Sequence, residues 1–191
     1  MKLYGTTTSP FVRRVRVVAA EVGEAIDRID TATEAGMAAL REVTPIRKVP
    51  VAIVGDGRLL FDSRVIINWL VSTHGPHDFV PPADPFLEAN LVNAIDAALD
   101  SVIQLFYLRR DGIVIDGTPF AARQLDRTDA IFGWVAPQLR TGAFGLPELS
   151  AVCALDWMDF RQTYPTERAG LEPLRAAWRE RPTLVATKPH A

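Results

Sequence analysis

The chain has 191 residues, of which 48% are hydrophobic and 23% charged, and its formal net charge is −2. This length allows one large domain or two small ones, and the composition is that of a globular rather than a disordered protein. The charge balance lacks the basic excess of a generic nucleic-acid binder, and the single cysteine, Cys153, excludes an internal disulfide and a multi-cysteine metal site.

No signal for membrane insertion is evident in the sequence. No apolar run approaches the roughly 20 residues that span a bilayer. The first ten residues, MKLYGTTTSP, hold one lysine and then mostly polar residues, without the apolar segment of a secretory signal. We therefore expect a soluble, cytoplasmic protein.

The start of the chain alternates strand and helix signals. Residues 2–4 are predicted to form a strand. Ser9 followed by Pro10 predicts the start of a helix, because serine is a good N-cap and proline fits the first helical position. Apolar residues at helical spacing continue this helix to a stop at Gly23, and residues 25–29 form a weak second strand pattern.

A hairpin and a further helix follow. Residues 33–42 predict a short helix or an irregular segment. Two apolar strands at 51–54 and 59–61 flank the turn signal Gly-Asp-Gly at 55–57. Asp and Ser at 62–63 then cap a helix. The resulting order, β-α-β-α-β-β-α, predicts an α/β layer of about 75 residues.

The second half of the chain is predicted to be helical. Residues 74–85, HGPHDFVPPADP, hold four prolines and have the composition of a linker. The tail from residue 180, ERPTLVATKPHA, is broken by proline and predicted to be extended over the surface. The predicted helices are 86–110, 118 to about 139, 151–160 after Pro147-Glu148, and 171–180.

Five segments resemble motifs of the glutathione transferases in their family order. They are SPFVRRVR at 9–16, similar to the first helix of soluble bacterial enzymes with an omega- or zeta-like start, TPIRKVP at 44–50, FDSRVIINWL at 61–70, CALDWMDFR at 153–161 and RPTLVAT at 181–187. The chain departs from the family pattern where Thr44 replaces the usual Asn, Arg47 replaces Gly, and Gly145 replaces a Ser or Thr cap three residues before Glu148.

This resemblance implies the glutathione transferase fold. Residues 1–76 would form a thioredoxin-like glutathione-binding α/β domain, 77–85 a linker, and 86–191 an all-α domain. Members of the family are commonly homodimers, and glutathione is their co-substrate. We expect no metal, because His74 and His77 have no third ligand beside them in the sequence.

The resemblance also implies the site that activates the thiol. Ser9 would donate a hydrogen bond to the glutathione sulfur and stabilise the thiolate, although one of the threonines at 6–8 could supply the hydroxyl instead. Phe11 belongs to the same glutathione site. A cis peptide bond between Val49 and Pro50 would place the backbone against the peptide part of glutathione. The alternatives are a plain helix cap for Ser9 and an ordinary trans proline.

The remaining glutathione contacts would lie at two charged positions. Asp62 would pair with the γ-glutamyl ammonium group, and Ser63 would donate to the carboxylate beside it. Lys48 or Arg47 would reach the glycyl carboxylate. The alternatives are a plain N-cap pair at the helix start and solvated charges in the loop.

Phe106, Tyr107 and Arg110 would line the electrophile pocket, with core packing an equal interpretation for Phe106. The arginines at 13, 14 and 16 are predicted to form a solvated face, with one of them free to pair with an acid of the helical half. Cys153 is predicted to be a small core residue.

Two classes of function fit this sequence. The first is a detoxifying transferase that activates glutathione for attack on a small electrophile, since Ser at position 9 argues against mixed-disulfide chemistry. Isomerisation or peroxide reduction would use the same thiolate. The second is a non-catalytic binding or regulatory protein that keeps the fold. Neither class involves nucleic acid or a membrane.

Overall fold

The computed structural model describes residues 1–190, and these form two compact units. The first contains Met1–Val80 together with the C-terminal segment from Arg181, and the second is Pro81–Glu180. The division at residue 80 falls inside the predicted linker. The prediction differs from the structure at the C-terminus, because it assigned the segment after Glu180 to the helical domain.

The first unit is built on a four-stranded sheet in the order β2-β1-β3-β4. The strands are β1 (Lys2–Tyr4), β2 (Asp27–Ile29), β3 (Val51–Ile53) and β4 (Leu59–Leu60). β1 runs parallel to β2 and antiparallel to β3, with Tyr4 opposite Ile29 on one side and Val51 on the other. β3 and β4 form the predicted antiparallel hairpin. The thioredoxin-like fold class is therefore confirmed.

Three helices flank this sheet, and each begins at a polar residue that caps it. They are α1 (Pro10–Glu21), α2 (Glu34–Val43) and α3 (Ser63–His74). The side chains of Ser9, Thr33 and Asp62 each accept a hydrogen bond from a backbone N–H of the first turn. Such caps satisfy donors that have no partner inside the helix. The helix starts are therefore set by local sequence.

The second unit is helical throughout, apart from two short 3₁₀ turns. Its helices are α4 (Pro85–Arg110), α5 (Pro119–Val135), α6 (Leu146–Arg161) and α7 (Glu172–Trp178). α4 packs against both α5 and α6. Most of α6 is buried, so it is the central helix of this unit. Cys153 is buried with it, which confirms that the cysteine is a core residue.

The composition of α4 bears on the expectation that no segment of the chain spans a membrane. This helix is long enough and apolar enough to cross a bilayer, with a mean hydropathy of 1.4 over its most apolar window. Its apolar stripe is nevertheless buried within the second unit, where Ile95, Leu99 and Val102 have almost no exposed surface. A helix buried in a protein core passes the same hydropathy test, so α4 is explained as a core helix.

The C-terminal segment also differs from the prediction of an extended tail. It forms a five-residue helix, α8 (Pro182–Ala186), within the first unit. Arg181 and Glu21 form a two-pronged ion pair in which both N–O distances are 2.7 Å. Thr183 donates to the same carboxylate. These contacts attach the tail to the last residue of α1.

Arg13 shows why the predicted solvated arginine face is wrong. Its side chain is 2% exposed and donates to the Leu184 carbonyl at 3.1 Å and the Thr187 hydroxyl at 3.4 Å. Arg16 is half-buried, and burial, followed by the charges of Arg28 and Arg13, lowers its pKa. The helix face that the sequence presented as solvated is therefore largely covered.

The carboxylate of Glu21 provides a test of the tail attachment. We expect Glu21→Gln to lower the free energy of unfolding by about 1–2 kcal/mol at neutral pH, because an amide cannot replace two charge-assisted hydrogen bonds. Urea unfolding of both proteins measures this difference. The tail should also become more sensitive to a carboxypeptidase in the variant.

The same pair has a defined dependence on pH. Burial raises the pKa of Glu21, but hydrogen bonds from Arg181 and Thr183 outweigh it, and the net pKa is lowered. A carboxyl with a lowered pKa in the folded state stabilises the protein above its unfolded pKa of about 4.3, and this contribution is lost as the pH falls through the folded value. The difference between wild type and Glu21→Gln should therefore shrink in acid. A constant difference would contradict the assignment.

Candidate functional site

Ser9 lies at the N-terminus of α1, as predicted. It is half-buried, and its Oγ accepts a hydrogen bond from the backbone N–H of Val12 at 3.3 Å. This bond uses a lone pair of the oxygen and leaves the hydroxyl proton available for a second partner. The free N–H groups of the first turn make the same place attractive to an anion. A hydroxyl donor and a helix N-terminus therefore coincide here.

The preceding threonines are arranged differently from Ser9. The Oγ1 atoms of Thr6 and Thr8 are 3.3 Å apart, so these two hydroxyls are hydrogen-bonded to each other. The hydroxyl that caps α1 is that of Ser9. Of the hydroxyls left open by the sequence, the geometry therefore favours Ser9 as the one held at the helix start.

The loop before β3 contains the second group of predicted residues. The Val49–Pro50 peptide bond is cis, as the resemblance implied. Pro50 is buried, whereas Lys48 and Arg47 are exposed. Arg47 has a φ of 50°, in the left-handed region that glycine adopts without strain. The glycine that the family usually has at this position is explained by this backbone conformation.

Asp62 caps α3 and is exposed to solvent. Its carboxylate accepts from the backbone N–H of Arg64 at 2.9 Å and pairs with the guanidinium of Arg64 at 3.1 Å. Burial raises the pKa of Asp62, but the hydrogen bonds and charge of Arg64, together with the charge of Arg14, lower it overall. Asp62 is thus an accessible, ionised carboxylate at the start of a helix. The Phe61–Asp62 peptide bond is also cis.

Ser63 is buried, unlike a residue that donates a hydrogen bond to a ligand from the solvent-exposed surface. It is 1% exposed, and its Oγ accepts two hydrogen bonds from Arg14, from Nε at 3.0 Å and Nη2 at 2.7 Å. A ligand would approach this end of α3 through Asp62 rather than through Ser63. The hydroxyl of Ser63 instead fixes a positive charge directly beneath the helix start.

Arg14 is a residue whose place the sequence analysis missed. It is 2% exposed rather than solvated, and its guanidinium also lies 5.1 Å from the centre of the Phe11 ring. It therefore joins Phe11 to Ser63, two of the predicted glutathione residues. Its spacing offered a signal, because Phe11, Arg14, Val15 and Val18 occupy positions i, i+3, i+4 and i+7 of the buried stripe.

The three residues predicted for the electrophile pocket lie together in the second unit. The rings of Phe106 and Tyr107 have centroids 5.5 Å apart, and the guanidinium of Arg110 lies 4.6 Å from the centre of the Tyr107 ring. Phe106 also packs edge-on against the buried Trp157 at 5.6 Å. Phe106 is half-buried and Tyr107 is 48% exposed. The structure is therefore compatible both with core packing and with a role in a surface pocket for this pair.

Comparison with known proteins finds relatives of this chain. The profile described as the N-terminal domain of glutathione S-transferase matches residues 3–78, which include Ser9, Pro50 and Asp62. The first unit of this chain is therefore similar to the N-terminal domain of glutathione S-transferases. A relative from Escherichia coli (strain K12), named the uncharacterized GST-like protein YibF, is 27% identical over 180 residues, which cover 86% of this chain and 85% of YibF.

Solved structures of glutathione transferases have the same fold as this chain. A glutathione transferase family member from Pseudomonas fluorescens Pf-5, with bound glutathione, is 25% identical with a TM-score of 0.81, over 100% of this chain and 99% of that one. A glutathione S-transferase from Methylobacillus flagellatus KT, with bound GSH, is 26% identical with a TM-score of 0.76, over 99% of each chain. The similarity to known structures therefore extends through both units.

Proposed function

We propose that this protein is a glutathione S-transferase that binds glutathione at its first unit and activates the thiol for attack on a small electrophile. The observation that carries the proposal is the hydroxyl of Ser9, held at the N-terminus of α1 with its proton available. The two similar structures that contain glutathione support the choice of ligand.

Activation requires that the thiolate be favoured over the thiol. A free thiol has a pKa of about 8.5, so only a few per cent is ionised at neutral pH. Lowering this pKa by about two units needs roughly 2.7 kcal/mol of preferential binding to the thiolate. The dipole and free N–H groups of α1 supply part of this energy, and a hydrogen bond donated by Ser9 supplies the rest.

The reaction then forms one bond and breaks another. The thiolate sulfur attacks the electrophilic carbon, a carbon–sulfur bond forms, and the leaving group departs with its electron pair. Ser9 holds the negative charge of the sulfur until attack and does not itself become a nucleophile, since no histidine or lysine lies beside it in the sequence to act as its base.

The rest of the tripeptide would be held by residues of the same unit. The backbone of Val49 would pair with the cysteinyl part, with Phe11 beside it. Lys48 or Arg47, both exposed, would reach the glycyl carboxylate. Asp62 would pair with the γ-glutamyl ammonium, because its carboxylate is both exposed and ionised.

The buried pair Arg14 and Ser63 would attract the γ-glutamyl end of glutathione from the protein interior. The guanidinium of Arg14 places a positive charge close to the N-terminus of α3. The γ-glutamyl α-carboxylate would lie at this N-terminus, next to the ammonium group held by Asp62. Helix dipole and guanidinium would thus attract the same anion. Ser63 is in this view a residue that positions Arg14.

The proposal is tested by the ultraviolet absorbance of the glutathione thiolate, titrated with pH in the presence of the protein. A bound thiol whose pKa lies below its solution value is the expected result. Binding without a change in pKa would instead favour a non-catalytic carrier or sensor, and absence of binding would favour a scaffold that only keeps the fold. Conjugation, isomerisation and peroxide reduction are then separated by substrate assays.

Asp62→Asn tests the γ-glutamyl contact without removing the helix cap. Asparagine caps helices as well as aspartate does, so the fold should be unchanged. We expect the Kd for glutathione to rise by about tenfold or more, because an ammonium loses its charged partner. The dipeptide Cys-Gly, which lacks the γ-glutamyl group, should bind wild type and variant equally. If Asp62→Asn weakened the binding of glutathione and of Cys-Gly equally, the assignment of Asp62 to the γ-glutamyl ammonium would be contradicted.

We further propose that the protein is a cytoplasmic homodimer. The first unit exposes the apolar side chains of Phe61 and Val65, which are 41% and 47% exposed. A contact between two subunits at this surface would cover both side chains. Light scattering coupled to gel filtration measures the mass in solution, and a mass of 21.0 kDa, that of a single chain, would contradict the dimer.

A further inference from the structure

Arg161, the last residue of α6, is a cation that forms no ion pair with any acid among residues 1–190. Its guanidinium lies over two aromatic rings, 4.6 Å from the centre of Phe160 and 5.2 Å from that of Phe106. Its Nε is buried and has no hydrogen-bond partner among residues 1–190. Within the same residues its terminal nitrogens form no ion pair or hydrogen bond.

The two aspartates that precede Arg161 on α6 are engaged by another arginine, and an aspartate after α4 is also paired. Asp156 and Asp159 both pair with Arg175, in the first case at 3.0 Å. Asp116 pairs with Arg109 at 2.7 Å. Buried polar atoms in folded proteins nearly always have a partner, and an exception marks a place where one is missing. The dipole at the end of α6 favours a cation there but accepts no hydrogen bond from Nε.

The surroundings of Arg161 define the chemistry of that missing partner. The guanidinium lies close to two ring centres, its Nε is buried, and its two terminal nitrogens are the donors that match the two oxygens of a carboxylate. Phe106 is only half-buried, and the adjoining Tyr107 is 48% exposed, so both offer apolar surface beside the charge. A planar ligand that ends in a carboxylate satisfies both features.

We propose that Arg161, Phe106 and Tyr107 form a binding site for the carboxylate of an aromatic acid. Arg161 holds the two oxygens, and the two rings pack against the aromatic part. Together with the proposed transferase function, on which this step rests, the site selects electrophiles that carry a carboxylate. Arg161 is then a specificity-determining residue.

Binding is tested first and without glutathione. Isothermal titration compares 4-nitrobenzoate with 4-nitrobenzamide, which has nearly the same shape but no charge. We expect wild type to bind the acid at least about tenfold more tightly than the amide. Arg161→Gln should abolish this preference, Arg161→Lys should keep part of it, and Arg123→Gln, which removes an exposed arginine of α5, should leave it unchanged.

Two results would overturn the site. One is equal binding of acid and amide by wild type. The other is an undiminished preference for the acid in Arg161→Gln, with circular dichroism showing that the variant is folded. Should that variant not fold, Arg161→Lys decides, since an ammonium keeps the charge but loses the two-pronged geometry, and an unchanged preference would then count against the proposal.

The reaction is tested separately with 4-chloro-3-nitrobenzoate and its carboxamide. The glutathione thiolate attacks the carbon that bears chlorine, and chloride leaves with the bonding electrons. Arg161→Gln should raise KM for the acid by about tenfold and leave kcat and the kinetics of the amide unchanged. Binding of nitrobenzoate without any turnover in wild type would contradict the transferase and leave the anion site intact. Turnover with no preference for the acid would contradict the anion site alone.

Discussion

Ser9→Ala is expected to raise the pKa of protein-bound glutathione by about one unit or more, toward the solution value of about 8.5. The fraction of thiolate at neutral pH then falls by about tenfold, and the conjugation rate falls with it. The reason is that the hydroxyl of Ser9 is the donor held at the N-terminus of α1. The thiolate absorbance, titrated with pH, gives the pKa, and turnover of a reactive aryl halide gives the rate.

Three further variants separate the roles that Ser9 combines. Ser9→Gly removes the hydroxyl but costs only a few tenths of a kcal/mol as a helix cap, so its pKa effect should equal that of Ser9→Ala. Ser9→Cys should gain thiol–disulfide exchange and lose conjugation. Thr8→Val should leave the pKa unchanged. A shift in Thr8→Val with none in Ser9→Ala would assign the donor to the threonine instead.

Glu148→Gln is expected to lower the free energy of unfolding of the second unit by about 3 kcal/mol. Glu148 is 1% exposed, and its carboxylate accepts from the backbone N–H of Gly145 at 3.1 Å and from the backbone and guanidinium of Arg140. Gly145 has no side chain, so Glu148 supplies the one side-chain arm of this capping box. A glutamine would turn an NH₂ group toward one of these donors.

Glu88→Gln is the matched control, because Glu88 contacts the same arginine. The Arg140–Glu88 distance is 3.4 Å, and Arg140 is itself 39% exposed, so this pair is loosely formed. We expect a loss below about 1 kcal/mol. Urea unfolding measured by tryptophan fluorescence compares the two variants. Equal losses for Glu88→Gln and Glu148→Gln would show that the ion pair with Arg140, and not the cap of α6, carries the stability.

Local signals account for the elements that the sequence predicted. Ser9 before Pro10 and Thr118 before Pro119 cap helices through bonds to residues three positions away. The turn at 55–57 joins neighbouring strands. Interactions of such short range depend on a few adjacent residues, so the alternation of strands and helices could be derived without knowing the fold.

The errors concern side chains whose partners are distant in the chain. Arg14 contacts Ser63, 49 residues later, and Arg13 contacts Leu184, 171 residues later. A charged residue on a helix is most often solvated. Its burial has a desolvation cost, which only a partner brought in by folding can offset. The short helix α8 is stabilised in the same way, by Arg181 against Glu21.

The sequence by itself determined the two-part organisation, the strand hairpin and the caps at Ser9 and Asp62, because each depends on periodicity or on neighbouring residues. Only the tertiary structure decided that Ser63 is covered and bound to Arg14, that the C-terminal segment joins the first unit, and that Arg161 has no acidic partner among residues 1–190. These features depend on side-chain contacts that form only in the folded protein, and the spacing of residues along the chain does not specify such long-range contacts.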